Sequence, residues 1–435
     1  MKWFVGAGLI LLFAMIFRIE PLAYAMYALL SLLVVSRLLS QTWIQNLRAE
    51  RACPQLTADV GDEVSVLVTI HNESGLPVPW VLSEELLPRH ALAYNPPNLE
   101  VKGSTLQLCM FWGKRARSIL YQVTCNRRGY YQLGPVVLET GDLFGLHRRF
   151  RVETQPHFLT VYPKVIPLEG YDIASKRPIG EVRMTYRLFE DPTRIAGVRP
   201  YQAGDPLNRI NWRASARTGE LYSKVYEPST VAGVTLLVDF HRDSYDRQNE
   251  PVRSDLAVTA TASIASAVYE MGQQTGFVTN GRDAADRISE EGWDYDWRTR
   301  DAALSAANMK ADNDRLQPIV VETRRGVDQF MRIRDTLARL ELTDGLPFPN
   351  LVNESMSRIP RDATVVAILR RVTSETTIAL AGMKRHGFAV AAIINVFGDQ
   401  EFADVSGPLL AEGIETHHLK EEMYIPGICR RQFMR

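Results

Sequence analysis

The stretch Gly233-Val234-Thr235-Leu236-Leu237-Val238-Asp239-Phe240 decides how the second half of this 435-residue chain is expected to fold. Its apolar run is continuous rather than alternating, which is typical of a strand buried on both faces of a parallel sheet. A helix rich in small residues is predicted to follow at Ser254–Met271, with Ser254 or Asp255 as its N-cap. Residues 231–435 are therefore predicted to form an α/β domain with an open, mostly parallel sheet and helices on both faces.

The rest of this domain follows the same two periodicities. Strands are predicted at Gly276–Thr279, Ala363–Leu369 and Phe388–Val396, and a helix at Ser374–His386. Phe330, Ile333, Leu337 and Leu340 recur at 3-4-3 spacing and predict an amphipathic helix. Residues 281–316 fit the pattern poorly and are predicted to be an irregular insertion.

The residues before this domain change to period two. Val64, Val66, Val68 and Ile70 alternate with residues of the opposite face, which predicts a strand with one buried face. Short strands are also predicted at Trp80–Leu86, Thr105–Phe111, Ile119–Cys125, Val136–Glu139 and Phe158–Tyr162. A sandwich-like all-β domain is therefore expected at 55–165, with a linker at 41–54 before it and a connector at 166–230 after it.

Two apolar runs open the chain, Trp3–Phe17 and Leu22–Val35. Each is shorter than the roughly 20 residues that usually cross a hydrocarbon core, but flanking basic residues extend such runs by snorkelling. Residues 1–40 are therefore predicted to form a transmembrane helical hairpin in contact with membrane lipid, with Trp3 and Trp43 at the interface. A cleaved signal peptide, a single anchor or a re-entrant segment are the alternatives.

Charge and motif content limit the function. Lysine plus arginine equals aspartate plus glutamate at 50 each, which gives no argument for a nucleic-acid partner. The four cysteines are scattered without C-x-x-C spacing, so neither a zinc site nor a disulfide framework is indicated. P-loop, G-x-S-x-G, H-E-x-x-H and G-x-G-x-x-G motifs are not found. We therefore expect no enzyme activity, no catalytic residue and no cofactor; the oligomeric state stays open.

The densest motif lies between the two predicted domains. It runs from Gly197 to Glu227 and includes, in order, Arg199, Tyr201, Gly204, Asp205, Arg209, Trp212, Ser215, Arg217 and Lys224. In these residues the chain resembles the bacterial and archaeal family called domain of unknown function 58. The upstream stretches Arg128–Pro135 and Asp142–Leu146 also resemble that family, although Leu143 stands where its members commonly have proline.

The resemblance implies a fold and a partner. It implies that residues 231–435 form a von Willebrand factor A-like, Rossmann-like domain. It also implies a partnership with a MoxR-type AAA+ ATPase in the assembly or maturation of membrane or envelope complexes. The expected protein is a non-enzymatic adaptor with two passes through the bacterial inner membrane. More basic residues flank the hairpin than lie in its loop, so both termini and the soluble domains are expected in the cytoplasm.

Two hypotheses remain for the arginine-rich signature. In the first, its guanidinium groups form a surface for a partner or an anion beside Trp212 and Tyr201. This includes the alternative function, a cytoplasmic-face binding protein or enzyme for an anionic envelope precursor that uses Arg199, Arg209 and Arg217. In the second, Arg199 and Arg209 pair with Asp205 or Glu227 and hold the connector on the α/β domain, with Trp212 as an anchor.

A metal site is a weaker hypothesis. A von Willebrand factor A-like domain can bind a divalent cation through a D-x-S-x-S loop after its first strand. Here Asp239 is in place, but His241 and Asp243 stand at the serine positions, and Arg370 would repel a cation. Asp239 and Asp243 are therefore weak candidates for a reduced oxygen-ligand site. A structural role for Asp239 at the strand end is expected instead.

Overall fold

The structure, a computed structural model, describes residues 2–92, 96–142, 145, 147–168, 190–201, 210–228, 233–285, 316–361 and 363–428. These residues form two compact units. The first contains the described residues of Met1–Lys164, Arg282–Asn313 and Arg334–Glu341. The second contains those of Val165–Gly281, Asp314–Ile333 and Leu342–Arg435.

The elements are as follows in chain order. The first part of the chain forms α1 (Lys2–Ile16), α2 (Glu20–Gln45), β1 (Leu47–Ala52), β2 (Thr57–Asp59), β3 (Glu63–Asn72), β4 (Val78–Glu85), α3 (Arg89–Leu92), β5 (Leu99–Lys102), β6 (Leu106–Phe111), β7 (Ala116–Cys125), β8 (Gly129–Leu133), β9 (Val136–Gly141), β10 (Arg148–Val152) and β11 (His157–Tyr162). Next come β12 (Glu190–Pro200), α4 (Trp212–Thr218), β13 (Tyr222–Pro228), β14 (Gly233–Val238), α5 (Val252–Glu270), β15 (Gln274–Thr279) and β16 (Arg282–Asp283). The last part forms β17 (Ile319–Arg324), α6 (Val327–Arg339), β18 (Leu340–Glu341), α7 (Phe348–Ser355), β19 (Ala363–Leu369), α8 (Ser374–Arg385), β20 (Ala389–Ile394), α9 (Asp399–Ala411) and β21 (Glu415–His418).

The N-terminal helices α1 and α2 contact each other. Within the described residues, α2 is the one helix that is long and apolar enough to cross a membrane, and the apolar part of α1, Val5–Ile16, is shorter. Arg18 in the connection has a φ of 53°. The N-terminus therefore contributes one candidate membrane helix with a shorter apolar helix packed against it.

The last turns of α2 belong to the β-sheet unit. Ser36 Oγ donates a hydrogen bond of 2.6 Å to Asp142 Oδ2, and Trp43 and Ile44 are buried in the apolar core of the sheets. The prediction that Trp43 lies at a membrane interface is therefore wrong. The stretch predicted as the linker 41–54 instead holds the end of α2 and strand β1. One face of α2 packs against the sheets although the neighbouring sequence is polar. The buried residues on it are Ser36, Ser40, Trp43 and Ile44, which have helical spacing.

Besides the two-stranded sheet of β16 and β18, this unit contains two four-stranded sheets and one three-stranded sheet among its described residues. Their strand orders are β1-β3-β7-β5, β10-β9-β4-β6 and β2-β11-β8. Side chains of both four-stranded sheets join one apolar cluster, as expected for sheets that pack face to face. The predicted alternation in β3 is confirmed, because Val64, Val66, Val68 and Ile70 are all buried.

Two glycines of the Arg128–Pro135 stretch are required by close packing. A Cβ on Gly129 would lie 2.6 Å from Tyr131 Cζ, and a Cβ on Gly134 would lie 1.7 Å from Arg51 Nη1. That same Nη1 donates to Glu85 Oε1 at 2.5 Å, so the glycine gives a buried ion pair its space. In this part of the chain the family-like residues therefore have a structural role.

The second unit contains a six-stranded sheet in the order β17-β15-β14-β19-β20-β21. Strands β15, β14, β19, β20 and β21 are parallel, and the edge strand β17 is antiparallel to β15. Counted along the chain, the order is 3-2-1-4-5-6, which is that of a doubly wound sheet. The order in which strands are added reverses between the parallel strands β14 and β19, and this junction positions the site described below.

Helices cover both faces of this sheet. Buried side chains of α7, α8 and α9 share one cluster with alternate residues of β14, β19 and β20. Helix α5 contacts β14, β15 and β19, and its buried residues lie outside that cluster, so it covers the opposite face. The predicted mixed α/β region is thus confirmed in outline.

Three local predictions in this half of the chain need correction. Helix α5 begins at Val252, so Ser254 and Asp255 lie in its first turn rather than at its N-cap. Leu340 is not in the amphipathic helix but in β18, which pairs with β16. Of the predicted insertion at 281–316, residues 286–315 lie outside the described part of the chain.

Candidate functional site at the carboxyl edge of the six-stranded sheet

The junction of β14 and β19 forms the centre of the candidate site. Val238 of β14 pairs with Ile368 of β19, and the next residue, Asp239, donates its N–H to Ile368 O at 3.1 Å. The chain leaves β14 toward one side of the sheet and β19 toward the other. In open α/β sheets, ligands bind in the crevice that this reversal leaves at the carboxyl ends of the strands.

Asp239 holds the loop that follows β14. Its side chain is 1% exposed, and its carboxylate accepts hydrogen bonds from Ser244 Oγ at 2.6 Å, Asn280 Nδ2 at 3.0 Å and the backbone N–H of His241 at 3.1 Å. Tyr245 OH donates to the Asp239 carbonyl at 2.9 Å. Burial raises the pKa of Asp239, while the hydrogen bonds from Ser244 and Asn280 oppose that rise. The contacts agree with the expected structural role of this aspartate at the strand end.

The other metal candidate lies in a different environment. The side chain of Asp243 is 82% exposed, and its Oδ2 lies 3.9 Å from His241 Nδ1. The two carboxylates thus have separate partners, one set buried and one at the surface. Over the described ranges, the structure contains no group of three or more histidine, cysteine, aspartate or glutamate residues that could hold a metal ion.

Asn280 is a residue of this site that the sequence argument missed. It follows β15, the neighbour of β14, and its Oδ1 accepts from the Phe240 N–H at 2.6 Å. Its Nδ2 donates to Leu346 O at 2.8 Å as well as to Asp239. A polar residue directly after a buried strand is the signal that identifies such a position.

Two arginines supply positive charge at the same edge. Arg370, the residue after β19, donates to Asp246 Oδ2 at 2.9 Å and to Glu401 Oε1 at 2.8 Å. Arg253, in the first turn of α5, is 1% exposed and donates from Nη1 to Asn395 Oδ1 and to Lys420 O, both at 2.9 Å. Sequence reasoning predicted the effect of Arg370 on cations but missed Arg253. An arginine in the first turn of a helix is unfavourable next to the helix dipole, and this mismatch is the sequence signal that could have identified Arg253.

Arg253 has unused hydrogen-bonding capacity. Its Nε and Nη2 atoms are buried without a hydrogen-bond partner, and the ring of Phe397 covers the guanidinium group. Burial, and next the charge of Arg370, lower the pKa of Arg253 to about 10, which leaves it charged at neutral pH. Two N–H groups on one edge of a guanidinium match the two oxygens of a carboxylate. Because both groups are buried, Arg253 contributes fixed positive charge to this edge rather than an open binding position.

The signature segment lies on β12, α4 and β13 in the same unit. Strands β12 and β13 pair with Val198 opposite Lys224 and Arg199 opposite Ser223. Ser215 is buried on α4, and its Oγ accepts from the Tyr222 N–H at 2.9 Å. Ser215 therefore ties the helix to the strand.

The ends of α4 and the following loop explain other parts of the motif. Asn211 caps the helix through a 3.2 Å bond from the Ala214 N–H, and Gly219 ends it with a φ of 78°. Tyr201 donates its N–H to Leu221 O at 2.8 Å. In the described part of the motif, these contacts join strand, helix and strand into one compact unit.

Three signature side chains face solvent. Trp212 is 68% exposed, and Arg213 and Arg217 on the same helix are exposed. The idea that Trp212 is a buried anchor is therefore wrong. Arg199, Tyr201 and Lys224 are half-buried, whereas Gly204, Asp205 and Arg209 lie outside the described residues, as does the side chain of Glu227.

Known proteins match this region. A family model described as "Protein of unknown function DUF58" matches residues 197–294. The uncharacterized protein YeaD of Bacillus subtilis (strain 168) is 26% identical over 262 residues, which cover 60% of this chain and 62% of the Bacillus protein. The match thus spans less than two thirds of that relative.

Solved structures resemble parts of the chain weakly. A CARDB domain from Pyrococcus furiosus, in complex with di-metal ions, covers 26% of this chain and 86% of its own length at 13% identity and a TM-score of 0.18. Proximal thread matrix protein 1 from the mussel byssus covers 46% of both chains at 9% identity and a TM-score of 0.29. Scores this low do not establish a shared fold. The family model for domain of unknown function 58 thus matches the segment of this chain that begins with the signature, residues 197–294.

Proposed function

We propose that this protein is a membrane-anchored, non-enzymatic adaptor that works with a MoxR-type AAA+ ATPase in the assembly or maturation of membrane or envelope complexes. The observation that carries the proposal is the exposed face of α4. Trp212 is 68% exposed, and Arg213 and Arg217 on the same helix are exposed as well. Tryptophan and arginine are the residues most enriched at the energetic centres of protein interfaces.

The carboxyl edge of the six-stranded sheet supports a binding role over a catalytic one. Asp239 is fully engaged by hydrogen bonds, and Arg370 is held between two carboxylates. The doubly wound strand order supports the proposal that this unit is von Willebrand factor A-like.

The proposed location is the bacterial inner membrane. Helix α2 supplies one span by length and composition, and we assign α1 as the second span of a hairpin. In this proposal both termini and the soluble units lie in the cytoplasm, because basic residues before and after a hairpin favour that side. A reporter fused after Arg435 tests the orientation, since a periplasmic signal would overturn it.

Affinity capture tests the partnership. The full chain is purified in detergent from cells that also express the MoxR-type ATPase, and captured ATPase is quantified by mass spectrometry. Trp212→Ala should lower recovery about tenfold or more, as expected for an interface tryptophan. Leu108→Ala is the control, because Leu108 is a large apolar residue that is 67% exposed but lies in the other unit. Failure of the wild type to recover the ATPase sinks the proposal.

A further inference from the structure

The loops that surround the end of α2 form one continuous surface, which we call the helix-proximal end. It consists of residues 72–77, 112–117 and the described residues of 142–149. Asn46, just after α2, accepts from the Glu73 N–H at 2.9 Å, and Asn72 Nδ2 donates to Gly113 O at 2.9 Å. Ser36 of α2 bonds Asp142 in the third loop. Each loop is therefore joined to α2 directly or through its neighbour.

Aromatic, apolar and basic side chains project from the helix-proximal end. Trp112 is 68% exposed and Leu76 is 43% exposed. Lys114, Arg115, Arg117, Arg148 and Arg149 are all exposed. Of the two acidic residues in the described parts of these loops, Glu73 is exposed and Asp142 is buried. The surface is thus strongly basic, although the whole chain is neutral.

A cleft of about 530 Å³ opens beside these loops. Arg48, His71, Lys114 and Arg115 line it, together with Glu50 and Glu73. The charge of Arg48 is paired, because its Nη1 lies 3.4 Å from Glu153 Oε1 and its Nε lies 3.8 Å from Glu73 Oε2. The loop residues Lys114 and Arg115 therefore set the charge at the opening of the cleft. A space of this size is typical of sites for small polar groups.

The position of this surface relative to α2 identifies its partner. The apolar run of α2 ends at Val35, and the next residue, Ser36, already contacts Asp142. A bilayer that contains α2 must therefore have its headgroup layer next to the loop that contains Asp142. The other two loops leave the same end of the sheet, because Val78 pairs with Phe111 and Val81 pairs with Thr140. Tryptophan is enriched at that depth, and basic side chains are attracted to anionic lipids there.

We infer that the helix-proximal end lies on the bilayer, with Trp112 and Leu76 in the interface and Lys114, Arg115, Arg148 and Arg149 against the headgroups of anionic phospholipids. The inference rests on the proposed membrane anchoring and adds a second, lipid-specific contact to it. The β-sheet unit then contacts anionic lipid directly, in addition to the contact that α2 makes with the bilayer.

Hydrogen–deuterium exchange of the full chain in nanodiscs tests this inference. One disc contains phosphatidylcholine alone, and the other also contains phosphatidylglycerol. Peptides that cover 112–117 should exchange more slowly with phosphatidylglycerol, by a factor of roughly five for each engaged basic residue at low salt. High salt should reduce the difference, since it screens the attraction.

Charge-reversal variants supply the control. Lys114→Glu with Arg115→Glu should abolish the difference between the two discs, whereas Arg358→Glu with Arg361→Glu, exposed positions in the other unit, should leave it intact. If 112–117 exchange equally in both discs while alkaline carbonate does not extract the protein, the lipid contact of the helix-proximal end is refuted and the anchoring by α2 stands. If carbonate extracts the protein, the anchoring fails; equal co-sedimentation with vesicles of the two compositions then refutes the surface as well.

Discussion

Replacing Asp239 by alanine tests whether this residue stabilises the loop after β14 or binds a metal ion. Three hydrogen bonds to its buried carboxylate would be lost, from Ser244, Asn280 and His241. Each such bond is worth about 1.5–3 kcal/mol when one partner is charged, and relief from burying the charge offsets part of the sum. We expect a net loss of about 3 kcal/mol in the free energy of unfolding. For a unit of this size that corresponds to a fall in Tm of about 6–12 °C.

Asp243→Ala is the matched control for this substitution. Its side chain is 82% exposed, so its removal should change stability by no more than about 0.5 kcal/mol. Scanning calorimetry of the full chain in detergent measures both variants, with EDTA and with excess Mg²⁺. The difference between them should be the same in both buffers. Equal changes in Tm for the two variants would refute the stabilising role of Asp239. A Mg²⁺-dependent rise in Tm that both substitutions abolish would establish the metal site instead.

Three further substitutions test other parts of the fold by thermal unfolding. Gly134→Ala should cost about 3 kcal/mol or more, because its Cβ would lie 1.7 Å from Arg51 Nη1; Gly145→Ala, with an open surrounding and a similar φ of 70°, should cost only about 1 kcal/mol. Asn211→Ala removes the cap of α4 and should cost about 1 kcal/mol; an unchanged Tm would contradict the capping role. Burial, and next the charge of Arg51, lower the pKa of His157, so the folded state loses stability as the pH falls below about 6.5. His157→Gln should flatten that part of the pH profile of Tm, and an unchanged slope would show that this histidine does not carry it.

Sequence patterns located the strongly periodic elements correctly. The buried strands β14 and β19 and the alternating strand β3 fall where continuous or period-two apolar runs predict them. Strands such as β1 and β10 were missed, because their sequences, Leu47–Ala52 and Arg148–Val152, are rich in charged residues. Their pairing partners β3 and β9 place them in the sheets, and a single strand's sequence does not specify its partner.

The candidate site was predicted only in part. Asp239 and Arg370 were found because each follows a buried strand whose carboxyl end the sequence defines. Arg253 and Asn280 were not found, because each acts through contacts with residues 142 and 41 positions away, respectively. The exposure of Trp212 also depends on the packing of α4, which buries Ser215 instead.

The sequence by itself determined the apolar N-terminal run, the order of β and α/β regions, and the signature at 197–227. These features depend on local periodicity and on motif residues, which the chain carries whatever its long-range contacts are. The tertiary structure decided what the residues after the membrane run do. It buries Trp43 in a sheet core, exposes Trp112 in the loop after β6, and holds the Asp239 loop through an asparagine that follows the next strand. Such outcomes depend on which distant elements pack together, because burial and hydrogen-bond partners are properties of the assembled sheets and not of any one segment.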